Sequence, residues 1–205
     1  ASEKVIPRVE AITGKKVPFY KADILDREAL EEIFSKEQID AVIHFAAFKA
    51  VGESVAEPVK YYRNNLDSFL NILNASIHHG GCNVLFSSSA TVYGEAEKLP
   101  VTEESPRQSA TSPYGNTKQI CEDILRDVVK ASAVYGTEVE SGKAGNGPIK
   151  GIAVRYFNPI GAHPSALIGE LPRGVPNNLV PFITQTAIGK RECLSIFGND
   201  YPTSD

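Results

Sequence analysis

The sequence predicts an α/β fold in which helices cover a parallel β-sheet. Helix-type and strand-type segments alternate along the chain, which is typical of parallel sheets. The run Val84-Leu85-Phe86 is continuously apolar, as expected for a strand that is buried on both faces. The chain has 205 residues, 42% of them hydrophobic, which is enough apolar material for a sizeable core.

Capping residues, proline and glycine predict where the helices begin and end. Asp26 is a suitable N-cap for a helix over 27–37, and Pro58 suits the first turn of a long helix over 58–79. The pair Gly80-Gly81 ends this long helix. Its predicted buried stripe consists of Tyr62, Leu66, Phe69, Leu73 and Ile77. The remaining helical predictions are a tail and connection over 5–16, and helices over 113–130 and 179–189.

The predicted strands cover 17–21, 41–46, 83–88 and 150–157. Together with the helices they indicate a Rossmann-like doubly wound sheet, in which ligands bind at the carboxyl ends of the strands. Such a fold opens with a strand, a Gly-x-Gly-x-x-Gly turn and a helix, and the sequence carries no such turn. The glycine cluster at 142–147 lies in a polar stretch without a following helix, so it indicates a loop.

The chain also contains no Met. We therefore expect an internal portion of a longer enzyme, truncated at both ends, which lacks the first β-α-β element and most of a smaller second domain. The predicted domains are a partial dinucleotide-binding domain over 1–158, with an exposed insertion at 131–149, and the beginning of a substrate-binding domain over 159–205.

Composition narrows the class of protein. The net charge is -4, with both signs mixed along the chain, which argues against nucleic-acid and membrane partners. The three cysteines are odd in number and widely spaced, as expected for reduced thiols in the core of a cytoplasmic enzyme. The four histidines and these cysteines have no zinc-type spacing, so no metal site is predicted.

The most informative motif is Tyr114-Gly115-Asn116-Thr117-Lys118 at the start of a predicted helix. Residues four apart lie on one helix face, so Lys118 can approach Tyr114. A nearby cation favours the ionised phenol and lowers its pKa, so we expect Tyr114 to accept a proton from an alcohol. This is the proton half of an alcohol oxidation, and the hydride half requires a nicotinamide.

Five segments in the same order carry a family resemblance. They are 42–54 (with His44-Phe45-Ala46-Ala47), 85–94 (with Ser87-Ser88-Ser89), Ser112–Lys118, 155–163 (with Tyr156-Phe157-Asn158) and, as the fifth, the pair of stretches 176–179 and 194–202. Together they resemble the UDP-glucose 4-epimerases, NAD-dependent enzymes of the extended short-chain dehydrogenase/reductase family. The resemblance covers nearly the whole chain except a segment near 131–147.

The resemblance implies a role for each matched residue. Tyr114 would remove the proton from the sugar 4-hydroxyl, Lys118 would hold the nicotinamide ribose, and Ser89 would relay the proton. The implied NAD-binding residues are Asp23, Ile24, Phe45, Ala46, Ala47, Lys49, Asn64, Ser87, Tyr114, Lys118, Tyr156 and Phe157. The implied UDP-sugar-binding residues are Lys49, Ser89, Tyr114, Asn158, Asn178, Leu179, Ser195 and Phe197.

Several of these residues have an ordinary structural alternative. A serine at a strand end often only satisfies backbone groups, and an asparagine such as Asn64 in a helix also suits a solvent-facing position. Asp23 is also a common type of residue before a helix. For Leu179 and Phe197 the alternative is packing in a core.

The implied reaction interconverts UDP-glucose and UDP-galactose by transient oxidation at C4, with NAD bound throughout. The resemblance also implies a homodimer through the helices 58–79 and 113–130. Three alternatives stay open. They are an epimerase for other nucleotide sugars, a sugar-nucleotide 4,6-dehydratase, which would need carboxyl groups that 89–92 lacks, and an inactive fragment without the phosphate-binding glycine turn.

Overall fold

The computed structural model describes residues 3–136, 148–170, 174–176, 178–196 and 198. These residues separate into two units. One unit comprises Tyr20–Phe157, and the other combines the described residues of Ala1–Phe19 with those of Asn158–Asp205. The domain boundary after residue 158 stays a prediction. The glycine cluster at 142–147 and the middle of the predicted insertion lie outside the described residues.

The sheet lies in the unit Tyr20–Phe157. Its strands are β1 (Ala41–His44), β2 (Asn83–Ser89) and β3 (Gly151–Tyr156), all parallel and in the order β1-β2-β3. Ser88 pairs with Arg155 and Ser89 with Tyr156, so the ends of β2 and β3 share a register. The α/β class with a parallel Rossmann-like sheet is therefore confirmed.

Helices precede, connect and follow these strands. The helices are α1 (Val5–Thr13), α2 (Arg27–Lys36), α3 (Val51–Ala56), α4 (Pro58–Tyr62), α5 (Ser68–His78), α6 (Pro113–Tyr135) and α7 (Leu179–Ala187). A π-helical turn, Arg63–Asp67, joins α4 to α5, and a 3₁₀ turn, Ala90–Tyr93, follows β2. Helices α1 and α7 belong to the unit that does not contain the sheet.

The structure differs from the predicted elements in three places. Residues 17–21 are not a strand, because within the described residues no strand pairs with them to complete a ladder. Helix α6 continues to Tyr135, beyond its predicted end; of the described residues of the expected insertion at 131–149, Ser132 and Ile149 are buried and the others are exposed. Helix α3 was not predicted, because its six residues are too few to show a helical period.

The core lies between one face of the sheet and the helices α5 and α6. Val84 and Phe86 of β2 pack against Phe69, Leu73, Cys121 and Leu125. On the opposite face, Ile43 is 59% and Ile152 is 62% exposed. Cys82 and Cys121 are free and buried as expected, whereas Cys193 is free but exposed, so its predicted core position is wrong.

The π-helical turn changes which side of the 58–78 segment is buried. Tyr61 and Asn65 are buried, whereas the predicted Tyr62 and Leu66 are only partly buried. A π turn closes i→i+5 hydrogen bonds instead of i→i+4, so it shifts the helical phase by about one residue. The predicted stripe is buried at Phe69 and Leu73, and Leu66 and Ile77 are partly buried and pack against the same core, whereas at Tyr62 the buried residue is its neighbour Tyr61.

Within the described residues, no helix combines the length and the apolar character that crossing a bilayer requires. In the same residues, no group of three or more His, Cys, Asp or Glu side chains is placed to hold a metal ion.

Candidate active site

The end of β2 and the first turn of α6 bring Ser89 and Tyr114 together. Ser112 caps α6, because its Oγ accepts a hydrogen bond from the Gly115 N–H at 3.1 Å, and Pro113 occupies the first helical position. Tyr114 therefore lies in the first turn, with its phenol beside Ser89. Both residues are buried. The resemblance implied that the two residues act on the same sugar hydroxyl, and that role stays a prediction.

The protonation state of Tyr114 differs from the expectation. Burial raises the pKa of Tyr114 above its usual value, and the neighbouring Ser89 offsets this only in part. The Lys118 Nζ donates to the Ser87 carbonyl at 2.8 Å and lies 5.7 Å from the centre of the Tyr114 ring. Without ligands the pKa of Tyr114 is thus raised rather than lowered because burial dominates, and the role of Lys118 toward the phenol stays a prediction.

Lys118 is a buried ammonium group on the covered side of the sheet. Burial lowers the pKa of Lys118 to about 8, and burial together with Lys118 lowers the pKa of nearby His44 to about 4. An ammonium has three donors, and within the described residues Lys118 has one hydrogen-bond acceptor, the Ser87 carbonyl. It can therefore donate further hydrogen bonds to hydroxyl groups of a ligand.

The loop 45–50 follows β1 and contains four of the predicted NAD-binding residues. Phe45 is 66% exposed, and its ring centre lies 6.3 Å from that of Tyr156. Ala46 and Lys49 are exposed and Ala47 is partly buried. These side chains lie at the surface of the unit, where a ligand can reach them.

Asn65 fixes this loop and was missed by the sequence analysis. Its Oδ1 accepts from the Phe48 N–H at 2.9 Å and from Asn64 Nδ2 at 2.9 Å. Its Nδ2 donates to the Phe48 carbonyl at 3.0 Å and to Thr117 Oγ1 at 3.1 Å. Thr117 in turn donates to the Tyr114 carbonyl at 2.7 Å. All four hydrogen-bonding positions of the amide are occupied, so the loop and the start of α6 are held together.

A second side chain supports the loop from the same helix segment. The Tyr61 hydroxyl accepts from the Ala50 N–H at 3.1 Å and donates to Glu53 Oε2 at 2.6 Å. The predicted residue Asn64 is partly buried and donates to its neighbour Asn65. The only sequence signal for Asn65 was its place beside Asn64 in a helix, where asparagine is unfavourable.

Other predicted cofactor residues are more loosely placed. Asp23 is exposed, and its Oδ1 accepts from the Leu25 N–H at 2.9 Å, which is the turn geometry of the structural alternative. The carbonyl of Ile24 accepts from Asn71 Nδ2 at 3.1 Å. Tyr156 is partly buried and Phe157 is 65% exposed. None of these contacts tests their predicted role.

The predicted substrate residues Asn158, Asn178, Leu179 and Ser195 belong to the other unit. Asn178 donates to Glu170 Oε1 at 2.9 Å and does not cap α7 with its side chain. Leu179 is 64% exposed, so it does not pack in a core. Phe197 lies outside the described residues. The substrate roles of all five stay predictions.

A buried Tyr–Ser pair, followed one helical turn later by a buried lysine, at the carboxyl end of a parallel strand, defines the class. This arrangement is that of a short-chain dehydrogenase/reductase-type protein. A model of one family within this class, described as GDP-mannose 4,6 dehydratase, matches residues 2–205. The chain belongs to that family.

Relatives at about 50% identity carry a narrower description. UDP-glucose 4-epimerases of Neisseria meningitidis serogroup B and of Bacillus subtilis are each 50% identical over 205 residues, covering 100% of this chain and 56% of theirs. The chain thus spans about half the length of the curated relatives it matches. These findings confirm the resemblance on which the predicted site residues rest.

Solved structures of UDP-glucose 4-epimerases also match this chain. The UDP-glucose 4-epimerase of Bifidobacterium longum, in complex with NAD+ and UDP, matches with a TM-score of 0.89 and 44% identity, over 100% of this chain and 57% of that one. The enzyme of Stenotrophomonas maltophila, with bound NAD and formylated UDP-arabinopyranose, matches with a TM-score of 0.85 and 41% identity, over 100% and 56%.

Proposed function

We propose that this chain carries the catalytic residues of an NAD-dependent UDP-glucose 4-epimerase. The observation that carries the proposal is that Tyr114 and Ser89 are buried beside each other at the end of β2, with buried Lys118 one turn later. The relatives at 50% identity, which are named UDP-glucose 4-epimerase, support the same activity.

The residues present fit an NAD cofactor. Lys118 has donors left for ribose hydroxyls, and the small side chains of Ala46 and Ala47 leave the backbone of loop 45–50 open to phosphate groups. Bound NAD would supply the hydride acceptor for C4 of the sugar. The relatives from Bifidobacterium longum and Stenotrophomonas maltophila were crystallised with NAD.

The proposed role of Tyr114 is to accept the proton of the sugar 4-hydroxyl and to return it after the sugar has turned over. Ser89 lies beside the phenol and would orient it toward that hydroxyl. Because burial raises the pKa of Tyr114 in this structure, the base form requires additional positive charge nearby when the ligands are bound. A charged Lys118 and an oxidised nicotinamide would both supply it.

The matching family model is described as a 4,6 dehydratase, so 4,6-dehydration is the second candidate activity. Elimination of water needs an acid–base carboxyl group beside the serine. The stretch Ser89-Ala90-Thr91-Val92 contains none. This favours the epimerase, whereas the preference for glucose, N-acetylated or pentose sugars is left to experiment.

The test is conversion of UDP-galactose to UDP-glucose by the purified protein with added NAD, beside native mass spectrometry for bound nucleotide. We expect turnover, and a loss of about 10²- to 10⁴-fold in Tyr114→Phe, which keeps the ring and loses the hydroxyl. Near-normal rates in Tyr114→Phe would show that the base is assigned wrongly. Absence of both turnover and bound NAD would support the alternative of an inactive chain.

The predicted homodimer through the helices 58–79 and 113–130 and the cytoplasmic location remain part of this proposal. The sedimentation coefficient of the purified protein tests the first of them.

A further inference from the structure

Glu122 is a buried carboxylate on the same side of α6 as Tyr114 and Lys118. It follows Lys118 by four residues and Tyr114 by eight, and all three side chains are buried. A carboxylate in such a position is costly unless charged partners and hydrogen bonds compensate it. Its contacts therefore indicate what it does.

Three elements supply these contacts. The Ser88 hydroxyl of β2 donates to Glu122 Oε1 at 2.6 Å. The Arg155 guanidinium of β3 donates through Nε to Oε1 at 2.9 Å and through Nη2 to Oε2 at 2.8 Å. Arg107, from the loop before α6, places its Nη1 3.6 Å from Oε2. The two-bond arginine contact fixes the orientation of the carboxylate as well as its position.

Each strand partner directly precedes a residue of the candidate site. Ser88 and Arg155 form one row of the sheet, and Ser89 and Tyr156 form the next row. The Arg155 guanidinium also lies 4.8 Å from the centre of the Tyr93 ring, at the end of the turn that follows Ser89. Glu122 therefore holds the carboxyl ends of β2 and β3, and it belongs to the same helix that carries Tyr114.

We propose that Glu122 is a positioning residue for the reaction proposed above. By holding Ser88 and Arg155 it fixes the Ser89–Tyr156 row relative to Tyr114, and so keeps Ser89 beside the Tyr114 phenol. The inference rests on the proposed function for its catalytic readout only, because the Tyr114 pKa can be measured without turnover.

The variant that tests this is Glu122→Gln, which keeps the shape and removes the charge. We expect kcat to fall about 10- to 100-fold, because small displacements of reacting groups have effects of this size. The KM for UDP-galactose should change less than about 3-fold, since the group acts on the chemical step. The neighbouring Ser89 lowers the pKa of Tyr114, so displacing Ser89 should raise that pKa. The acid limb of the kcat–pH profile should then move to higher pH.

The charged groups around these side chains define the controls. Lys118 lies near Tyr114 on the same helix, and Arg107, Arg155 and Asp123 surround Glu122. Asp123→Asn makes the same charge change on the next residue, which contacts Arg107 and Arg126 but neither strand. Ser76→Ala removes a buried hydrogen bond to the Cys82 N–H at the far end of α5. Both controls should keep kcat and the pH profile.

A direct readout separates this inference from the proposed function. The Tyr114 pKa is measured by NMR titration of protein labelled with ¹³C-tyrosine, with Tyr114→Phe to assign the signal. A rise in Glu122→Gln supports the positioning role even in a protein without epimerase activity. An unchanged Tyr114 pKa in folded Glu122→Gln overturns it, as does an unchanged kcat and pH profile in an active enzyme.

Ser88→Ala keeps the proposal testable if Glu122→Gln does not fold. This variant removes one hydrogen bond and leaves the Glu122–Arg155 ion pair in place. We expect a smaller rise of the Tyr114 pKa and a smaller loss of kcat in the same direction. If both values stay at the wild-type level in Ser88→Ala, the carboxylate does not act through this row. Arg155→Lys keeps the charge but loses the two-bond geometry. Its rise in the Tyr114 pKa and its loss of kcat should lie between those of Ser88→Ala and Glu122→Gln.

Discussion

Two buried polar clusters hold α6 in place, and they differ in charge. The amide cluster, formed by Asn65, Thr117 and the backbone of Phe48, lies at the first turn of the helix and is neutral. The carboxylate cluster, formed by Glu122, Ser88, Arg155 and Arg107, lies one to two turns further along and contains three formal charges.

The difference predicts how each cluster responds to damage. In the amide cluster every donor and acceptor has a partner, so removing one partner exposes a single unsatisfied polar atom. In the carboxylate cluster, removing the carboxylate leaves buried positive charge without compensation. The neutral cluster should therefore tolerate substitution better and be insensitive to pH, whereas the charged cluster should show the opposite behaviour.

The largest effect is expected for Glu122→Ala. Breaking a buried ion pair from one side costs about 3–5 kcal/mol, because the remaining charge stays desolvated. Urea unfolding of the variant and of the wild-type protein measures the difference. A loss under about 1 kcal/mol would mean that Arg155 finds water or another partner, and the contrast between the clusters would disappear.

Thr117→Val is expected to have a smaller effect. The substitution keeps the shape of the side chain but leaves one N–H of Asn65 without its partner, at a cost of about 1–3 kcal/mol. The same unfolding measurement applies. If this neutral change were more damaging than Glu122→Ala, charge would not be what distinguishes the two clusters.

The pH dependence gives a third comparison. Burial raises the pKa of Glu122, but the hydrogen bonds from Arg155 and Ser88 and the charges of Arg155 and Arg107 together lower it below its usual value. A lowered folded-state pKa means that the stabilisation is present above the pKa of the unfolded state and is lost as the pH falls through the folded-state value.

The stability difference between wild type and Glu122→Gln should therefore shrink below about pH 4.5. The difference between wild type and Thr117→Val should stay constant over the same range, since neither residue titrates. Unfolding free energies at several pH values between 7 and 3 provide the measurement. A Glu122→Gln difference independent of pH would contradict the ionised state of this carboxylate.

Asp123→Asn should have the smallest effect. Asp123 is bonded to Arg107 and Arg126, but its side chain is 43% exposed, so water screens the pairs. Exposed ion pairs contribute about 0–1 kcal/mol. The thermal midpoint of this variant should stay close to that of the wild type. A loss as large as that of Glu122→Ala would show that Arg107, and not Glu122, organises the carboxylate cluster.

Local patterns in the sequence predicted much of this arrangement. The Asp26 cap is present, with its side chain accepting from the Ala29 N–H at 3.1 Å, and the buried run Val84-Leu85-Phe86 forms the central strand. The spacing of Tyr114 and Lys118 placed both on the buried side of α6. These features depend on neighbouring residues, so one sequence is enough to predict them.

The two clusters could not be predicted in the same way, because they depend on contacts between distant residues. Glu122 and Arg155 are 33 residues apart, and a glutamate in an amphipathic helix ordinarily lies on the exposed side. Asn65 is buried within the π-helical turn, which local sequence patterns did not predict. The pKa of Tyr114 is raised rather than lowered because burial outweighs the other effects, and spacing along a helix does not show how deeply a phenol is buried.

The π-helical turn Arg63–Asp67 also affects how this helix tolerates a change in length. Deleting one residue from the turn would let an uninterrupted α-helix form, so circular dichroism would detect little. Because the π turn takes up about one extra residue, the deletion would leave Tyr61 facing much as it does now relative to Phe69. The Tyr61 hydroxyl would then keep its contact with the Ala50 N–H of the loop 45–50. In an alignment, a relative with an uninterrupted helix would therefore need a one-residue gap here, although every residue on both sides remained helical.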